Sequence, residues 1–223
     1  MSREHFILFC VAALLVGLLF VCIEGCAPVE KPSVASIVPS VSAEEFDPAP
    51  VPARKYRNAL TRNARVVWGM TAPIPVFAGQ IAQESGWNEN AKSYVGAQGL
   101  AQFMPSTADW IDDAYPDLGP AQPYNPDWAI RALVRYDRHL WQRLDYNLLC
   151  SRIGATLSAY NGGIGWHDKR RAKADDRDDF WGSVRLVNPG ITPANQQQNA
   201  DYPKKIVYDR QRQYLTWGET LCI

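Results

Sequence analysis

Apolar residues recur at three- and four-residue spacing along most of the chain beyond position 53, and that period predicts helices. Tyr56, Leu60, Val67 and Trp68 mark a first helix over 53–70, with Arg54, Lys55, Arg57, Arg62 and Arg65 on its solvated face. Pro75 opens a second, whose stripe runs through Phe77 and Ile81 and ends near Gly86. Ser106 to Ala114 gives a third, with Trp110 and Ile111 pointing inward. The sharpest pattern begins at Asn125, a residue suited to capping, followed by Pro126 and Asp127. Ile130, Leu133, Val134, Leu140, Trp141 and Leu144 then repeat at helical spacing. Ile153 to Asn161, with Gly162 as its stop, and Ile206 to Trp217 complete a mainly α domain.

One position breaks the second stripe. By spacing, residue 84 belongs on the buried face, and it is a glutamate near the helix C-terminus. Apolar surroundings and the negative end of a helix dipole both disfavour a carboxylate, so they raise the pKa of Glu84. A carboxylic acid held neutral near pH 7 can donate a proton to a leaving group. The helix alone also allows a glutamate that snorkels outward or pairs with an arginine. Asp137 lies on the long stripe too, where pairing with a neighbouring Arg is the plainer role and a second catalytic carboxylate the sharper one.

The N-terminal pattern is different. Arg3 precedes an uncharged apolar run from Phe6 to Ile23, closing at Gly25-Cys26. Residues 1–26 read as an export signal, with Ile23-Glu24-Gly25-Cys26 resembling a lipobox whose Cys26 carries lipid. An uncleaved anchor is the competing reading. Residues 27–52, punctuated by Pro28, Pro32, Pro39, Pro48, Pro50 and Pro52, read as an extended linker. Residues 53–223 then form one domain.

Composition narrows the chemistry. With 23 basic and 23 acidic residues, the chain lacks the electrostatic footprint of a nucleic-acid binder. Beyond the export segment the only histidines are His139 and His167, so no metal site is expected. No phosphate loop or cofactor fingerprint occurs. Ser85 and Ser106 have no matching His/Asp set. The run from His167 to Phe180, with Lys169, Arg170, Arg171 and Lys173 and then Asp175, Asp176, Asp178 and Asp179, reads as a solvated surface insertion. Cys150 and Cys222 form an even pair suited to an oxidising compartment, where a disulfide is expected.

Three ordered segments carry a specific signal: Glu84-Ser85; then Gly99-Leu100-Ala101-Gln102-Phe103-Met104-Pro105; then Ala159-Tyr160-Asn161. Together they resemble the soluble lytic transglycosylase family, whose domain has a lysozyme-like helical fold. The resemblance covers roughly 68–165, with a weaker continuation to about 206. Ala101 stands where the family usually has Met. Gln198-Asn199-Ala200-Asp201-Tyr202 stands where Glu-Thr-Arg-x-Tyr is frequent, and only Tyr202 is kept.

The resemblance implies roles residue by residue. Glu84 is the catalytic acid, and Ser85 helps set its pocket. Gln102, Met104, Tyr160, Asn161 and Tyr202 line the glycan-binding cleft. The implied substrate is the glycan strand of peptidoglycan, cut between N-acetylmuramic acid and N-acetylglucosamine, and no cofactor is implied. Glycosidases ordinarily use two flanking carboxylates. Near Glu84 the candidates Glu89, Asp109, Asp112 and Asp113 hold no compelling position, and a lone acid suits the family's route to a 1,6-anhydro product. The rivals are a muramidase hydrolysing the same bond and a silent glycan-binding envelope protein. The expected location is the periplasmic side of a bacterial membrane.

Overall fold

The computed structural model describes residues 47–222. The expected export segment 1–26, with Cys26 as its expected lipidation site, and most of the expected linker 27–52 therefore lie outside the described residues. Within them the chain is helical and contains no strand. The helices are α1 (Val51–Arg54), α2 (Arg57–Trp68), α3 (Ile74–Glu84), α4 (Pro105–Ala114), α5 (Pro126–Arg143), α6 (Leu149–Gly162), α7 (Ile164–Lys173) and α8 (Pro193–Lys204).

Helix α3 packs against α2 and against the C-terminal segment from Lys205 to Trp217. Ile74 through Ile81 are all buried, so it is enclosed on nearly every side rather than amphipathic. Phe77, fully buried against Trp68 at 5.1 Å between ring centroids, contributes about 2–3 kcal/mol by its burial. Helix α2 crosses α5, α5 packs on α6, and α6 on both α7 and α8. Asn125 caps α5 as its sequence predicts: its side-chain oxygen accepts from Asp127 N at 3.0 Å and Trp128 N at 3.4 Å.

Several expectations are corrected. The helix expected over 53–70 is two pieces, interrupted at Lys55 and Tyr56. Asp47 to Pro52, assigned to the linker on proline content, instead packs on the domain. Asp47 accepts from Trp217 Nε1 at 3.0 Å and pairs with Arg57 at 3.4 Å, and Ala49 is buried. Trp110 stays partly exposed on the surface of α4, edge-on to His139 at 4.9 Å, while Ile111 takes the inward position.

The expected helix Ile206–Trp217 is irregular. Lys205–Arg210 runs in wide π turns and Gln211–Trp217 in tight 3₁₀ turns, with a kink at Tyr214. Pro203 lies just upstream, where its missing N–H breaks the regular ladder. The C-terminal segment then lies directly on α3: a Cβ added at Gly79 would sit 2.9 Å from Gln211 N. Cys150, in the first turn of α6, is joined to Cys222 by a disulfide with a Cα–Cα distance of 5.2 Å.

Candidate active site

Glu84 is the last residue of α3, and its carboxyl opens into a cleft of about 410 Å³. One wall comes from the segment between α3 and α4. This segment folds on itself through isolated bridges pairing Lys92 with Gln98 and Gln98 with Phe103. Gly99 makes the fold possible. Its φ is +72°, and an added Cβ would fall 1.7 Å from Pro123 O. Gln102 also has a positive φ, 49°, and its Nε2 donates to Gly99 O at 2.9 Å and Ala91 O at 3.2 Å. Both amide hydrogens are thereby held by backbone, so the acceptor oxygen remains for the cleft. Met104 and Phe103 continue this wall.

The opposite wall comes from the end of α6 and from α8. Tyr160 lines the cleft with its ring, while its hydroxyl donates to Ala101 O at 2.7 Å and ties the two walls together. Asn161 follows it on the same wall. Tyr202 projects from α8 and donates its hydroxyl to Glu84 Oε1. The direct partner of the acid is thus Tyr202, not Tyr160. Ser85 does not face the cleft: its Oγ bonds Ile81 O of its own helix at 3.4 Å.

Burial dominates the electrostatics. It raises Glu84 to about 7, against the opposing effect of the Tyr202 hydrogen bond, which favours the carboxylate. Desolvation, reinforced by the negative charge of Glu84, raises Tyr202 and Tyr160 well above the usual phenol value. Both remain protonated donors.

Asp137 does not pair with an arginine. It is 1% exposed and accepts from Gln80 Nε2 at 3.3 Å. Desolvation raises its pKa well above the carboxylate range, Gln80 opposing and Glu84 adding to the shift. Among the described residues lining the cleft, Glu84 is the only carboxylate.

Gln83, Ser93, Val95, Ala97, Thr107, Tyr136, Gln198 and Lys205 also line the cleft, and the sequence assigned none of them a role there. Tyr136 had a detectable signal: it adjoins Asp137 on α5, at the edge of the apolar stripe, and its ring packs 5.5 Å from Tyr160. Gln198 had a weaker one, standing where the family often has Glu.

The model of the family described as transglycosylase SLT domain matches residues 71–180. Over 86 residues the chain is 41% identical to the soluble lytic murein transglycosylase of Salmonella typhimurium, covering 37% of this chain and 13% of that protein. Over 153 residues it is 27% identical to the membrane-bound lytic murein transglycosylase F of Aeromonas salmonicida, covering 66% of this chain and 28% of that one. The chain therefore spans less than a third of either relative's length. Among solved structures, the 70 kDa soluble lytic transglycosylase of Escherichia coli superposes with a TM-score of 0.57 at 25% identity, covering 73% of this chain and 25% of that one. The ordered motifs, the cleft they enclose and these matches agree: residues 71–180 match the family of transglycosylase SLT domains.

Proposed function

We propose that this domain cleaves the β-1,4 bond between N-acetylmuramic acid and N-acetylglucosamine in peptidoglycan without consuming water. The observation that carries the proposal is the solitary position of Glu84: one carboxyl, raised to about 7, in a cleft lined by no second acid among the described residues. At neutral pH a substantial fraction of Glu84 is protonated and can give its proton to the glycosidic oxygen. Tyr202 bonds to the carboxyl and supports the anion left behind. The substrate supplies the missing groups. Its muramyl N-acetyl oxygen stabilises the oxocarbenium-like centre. Glu84, now a base, takes the proton of the C6 hydroxyl, whose oxygen closes a 1,6-anhydro ring on C1. Atoms balance with the acid restored and no water added.

The export segment, Cys26 and the Pro-rich tract support the further reading of a domain tethered to the periplasmic side of a membrane. Fractionation of a Cys26→Ser variant tests that reading, with release from membranes expected.

The product decides the chemistry. Mass spectrometry of digested peptidoglycan should show 1,6-anhydromuramyl ends, lighter than their hydrolysed counterparts by one water. Fragments ending only in reducing sugars would overturn the proposal and assign the domain as a muramidase. Absence of any cleavage by the folded protein would leave a glycan binder.

A further inference from the structure

The charge run after α6 is not merely a solvated face. Arg170, in α7, is 1% exposed, and its guanidinium is held entirely by neutral groups. Nε donates to Val187 O and Gln196 Oε1, both at 3.2 Å; Nη2 donates to Gln196 Oε1 at 2.7 Å; Nη1 donates to Asn199 Oδ1. Among the described residues no carboxylate pairs with it. A buried charge with no opposite charge is costly, and protein interiors normally pair it.

The cage also leaves the fork incomplete. A guanidinium has five N–H donors, and these contacts use three hydrogens. One hydrogen on each terminal nitrogen has no acceptor among the described residues. Two hydrogens on adjacent nitrogens are what a carboxylate takes in bidentate fashion.

A cavity of about 280 Å³ lies against this group. Its lining includes Arg170, Trp166, Asn161, Asn195, Gln198 and Asn199, with no acidic side chain. Trp166 is 38% exposed, and Lys169 Nζ sits 4.0 Å from the centre of its ring, adding a second positive charge at the rim. Asn161 and Gln198 line both this cavity and the cleft of Glu84, so the two are neighbours with a shared wall.

We propose that this cavity is a binding site for a carboxylate carried by the substituent of a muramyl residue in the strand bound at Glu84. The site rests on the peptidoglycan reading above. Two sources supply the same chemistry: the peptide attached to the muramyl lactyl group, or the lactyl carboxylate itself where the peptide is absent. The peptide is favoured, because a cavity of about 280 Å³ beside an exposed indole is larger than a lactyl carboxylate alone fills.

Isothermal titration on the full chain carrying Glu84→Gln separates these cases. The probes are N-acetylglucosaminyl-N-acetylmuramyl tetrapeptide, the same molecule with its carboxyl groups amidated, and the peptide-free disaccharide. Amidation should weaken binding at least tenfold, and the peptide-free disaccharide should bind more weakly than the intact probe. Equal affinity for the free and amidated peptides overturns the proposal. Equal affinity for the peptide-free disaccharide and the intact probe overturns its peptide form. Arg170→Gln should abolish the discrimination but removes part of a buried network. Asn195→Asp serves as the second variant, because Asn195 is exposed in the first turn of α8, where an acid suits the helix dipole. A folded Asn195→Asp protein that still discriminates tenfold would sink the proposal. Failure here alongside anhydro products from the unmodified protein leaves the catalytic reading intact; discrimination here without such products leaves only the binding site.

Discussion

Glu84 and Glu89 lie five residues apart, and each accepts a hydrogen bond from a tyrosine, Tyr202 and Tyr56 respectively. Yet their pKa values move in opposite directions. Glu89 stands at the surface with Lys55 at 3.3 Å, and its hydrogen bonds from Tyr56 and Lys55 hold it below the ordinary value. At Glu84 the same kind of bond favours the anion, but burial outweighs it, and among the described residues no cation pairs with the carboxyl. A tyrosine–carboxylate contact therefore does not set the direction of the shift. Burial, set against a paired cation, does.

The sharpest way to break this comparison is to neutralise each glutamate. Glu84→Gln should lower the rate of release of soluble fragments from purified cell walls by about 10³-fold, with circular dichroism unchanged. Glu89→Gln should leave the rate within about twofold. Comparable losses from both would mean that burial is not what distinguishes them.

The next largest effect concerns the wall of the cleft that faces Glu84. Gly99→Ala should destabilise the domain by about 3 kcal/mol or more, read from the midpoint of urea unfolding, because the methyl group would enter the Pro123 carbonyl. A near-normal midpoint would show that the wall is looser than its geometry.

Stability against pH gives a third test. Glu84 binds its proton more tightly folded than unfolded, so its contribution falls as pH rises from 4.5 to about 7. Above that window the ionised carboxyl costs up to about 3 kcal/mol. Glu84→Gln should therefore gain on the parent protein as pH rises through the window. Buried His167, held down to about 4 by desolvation with Arg171 and Arg170 adding, gives the opposite slope: stability is lost as pH falls from 6.5 to about 4. The difference between variant and parent isolates Glu84, because His167 is common to both.

Tyr202→Phe removes the group that favours the Glu84 anion. The basic limb of the activity profile should shift upward by about one pH unit. Tyr56→Phe, the matching change at Glu89, should not move it. The smallest effect is expected from Asp137→Asn. Burial already opposes the charge of Asp137, so the profile should move by no more than about 0.3 unit. A hundredfold loss of rate, with the fold intact, would instead restore Asp137 as a second carboxylate.

Much of the fold was legible because it rests on local rules. The Asn125-Pro126-Asp127 start of α5 and the stripe that follows appear as the sequence writes them. Glu84 was legible as a polar residue on an apolar period. What escaped depends on contacts made across the chain. The partner of Asp137 is Gln80, 57 positions away, and no helical spacing announces it. Arg170 sits in a run that reads as solvent-facing, and its burial follows from Gln196 and Asn199 arriving on α8. Asp47 looked like linker because proline content says nothing about Trp217. The wide turns after Pro203 are not visible in the apolar spacing from Ile206 to Trp217, which a regular helix would share.

The disulfide between Cys150 and Cys222 divides the cleft by covalent topology. The two cysteines are 72 positions apart, and the closed loop between them contains Tyr160, Asn161, Arg170 and Tyr202. Glu84 and Gln102 lie outside it. One jaw of the cleft is thus a covalent ring, while the other is open chain held by hydrogen bonds and packing. A nick anywhere between 150 and 222 leaves both pieces attached. A nick between Gly86 and Gln102 severs the acid from the loop that faces it.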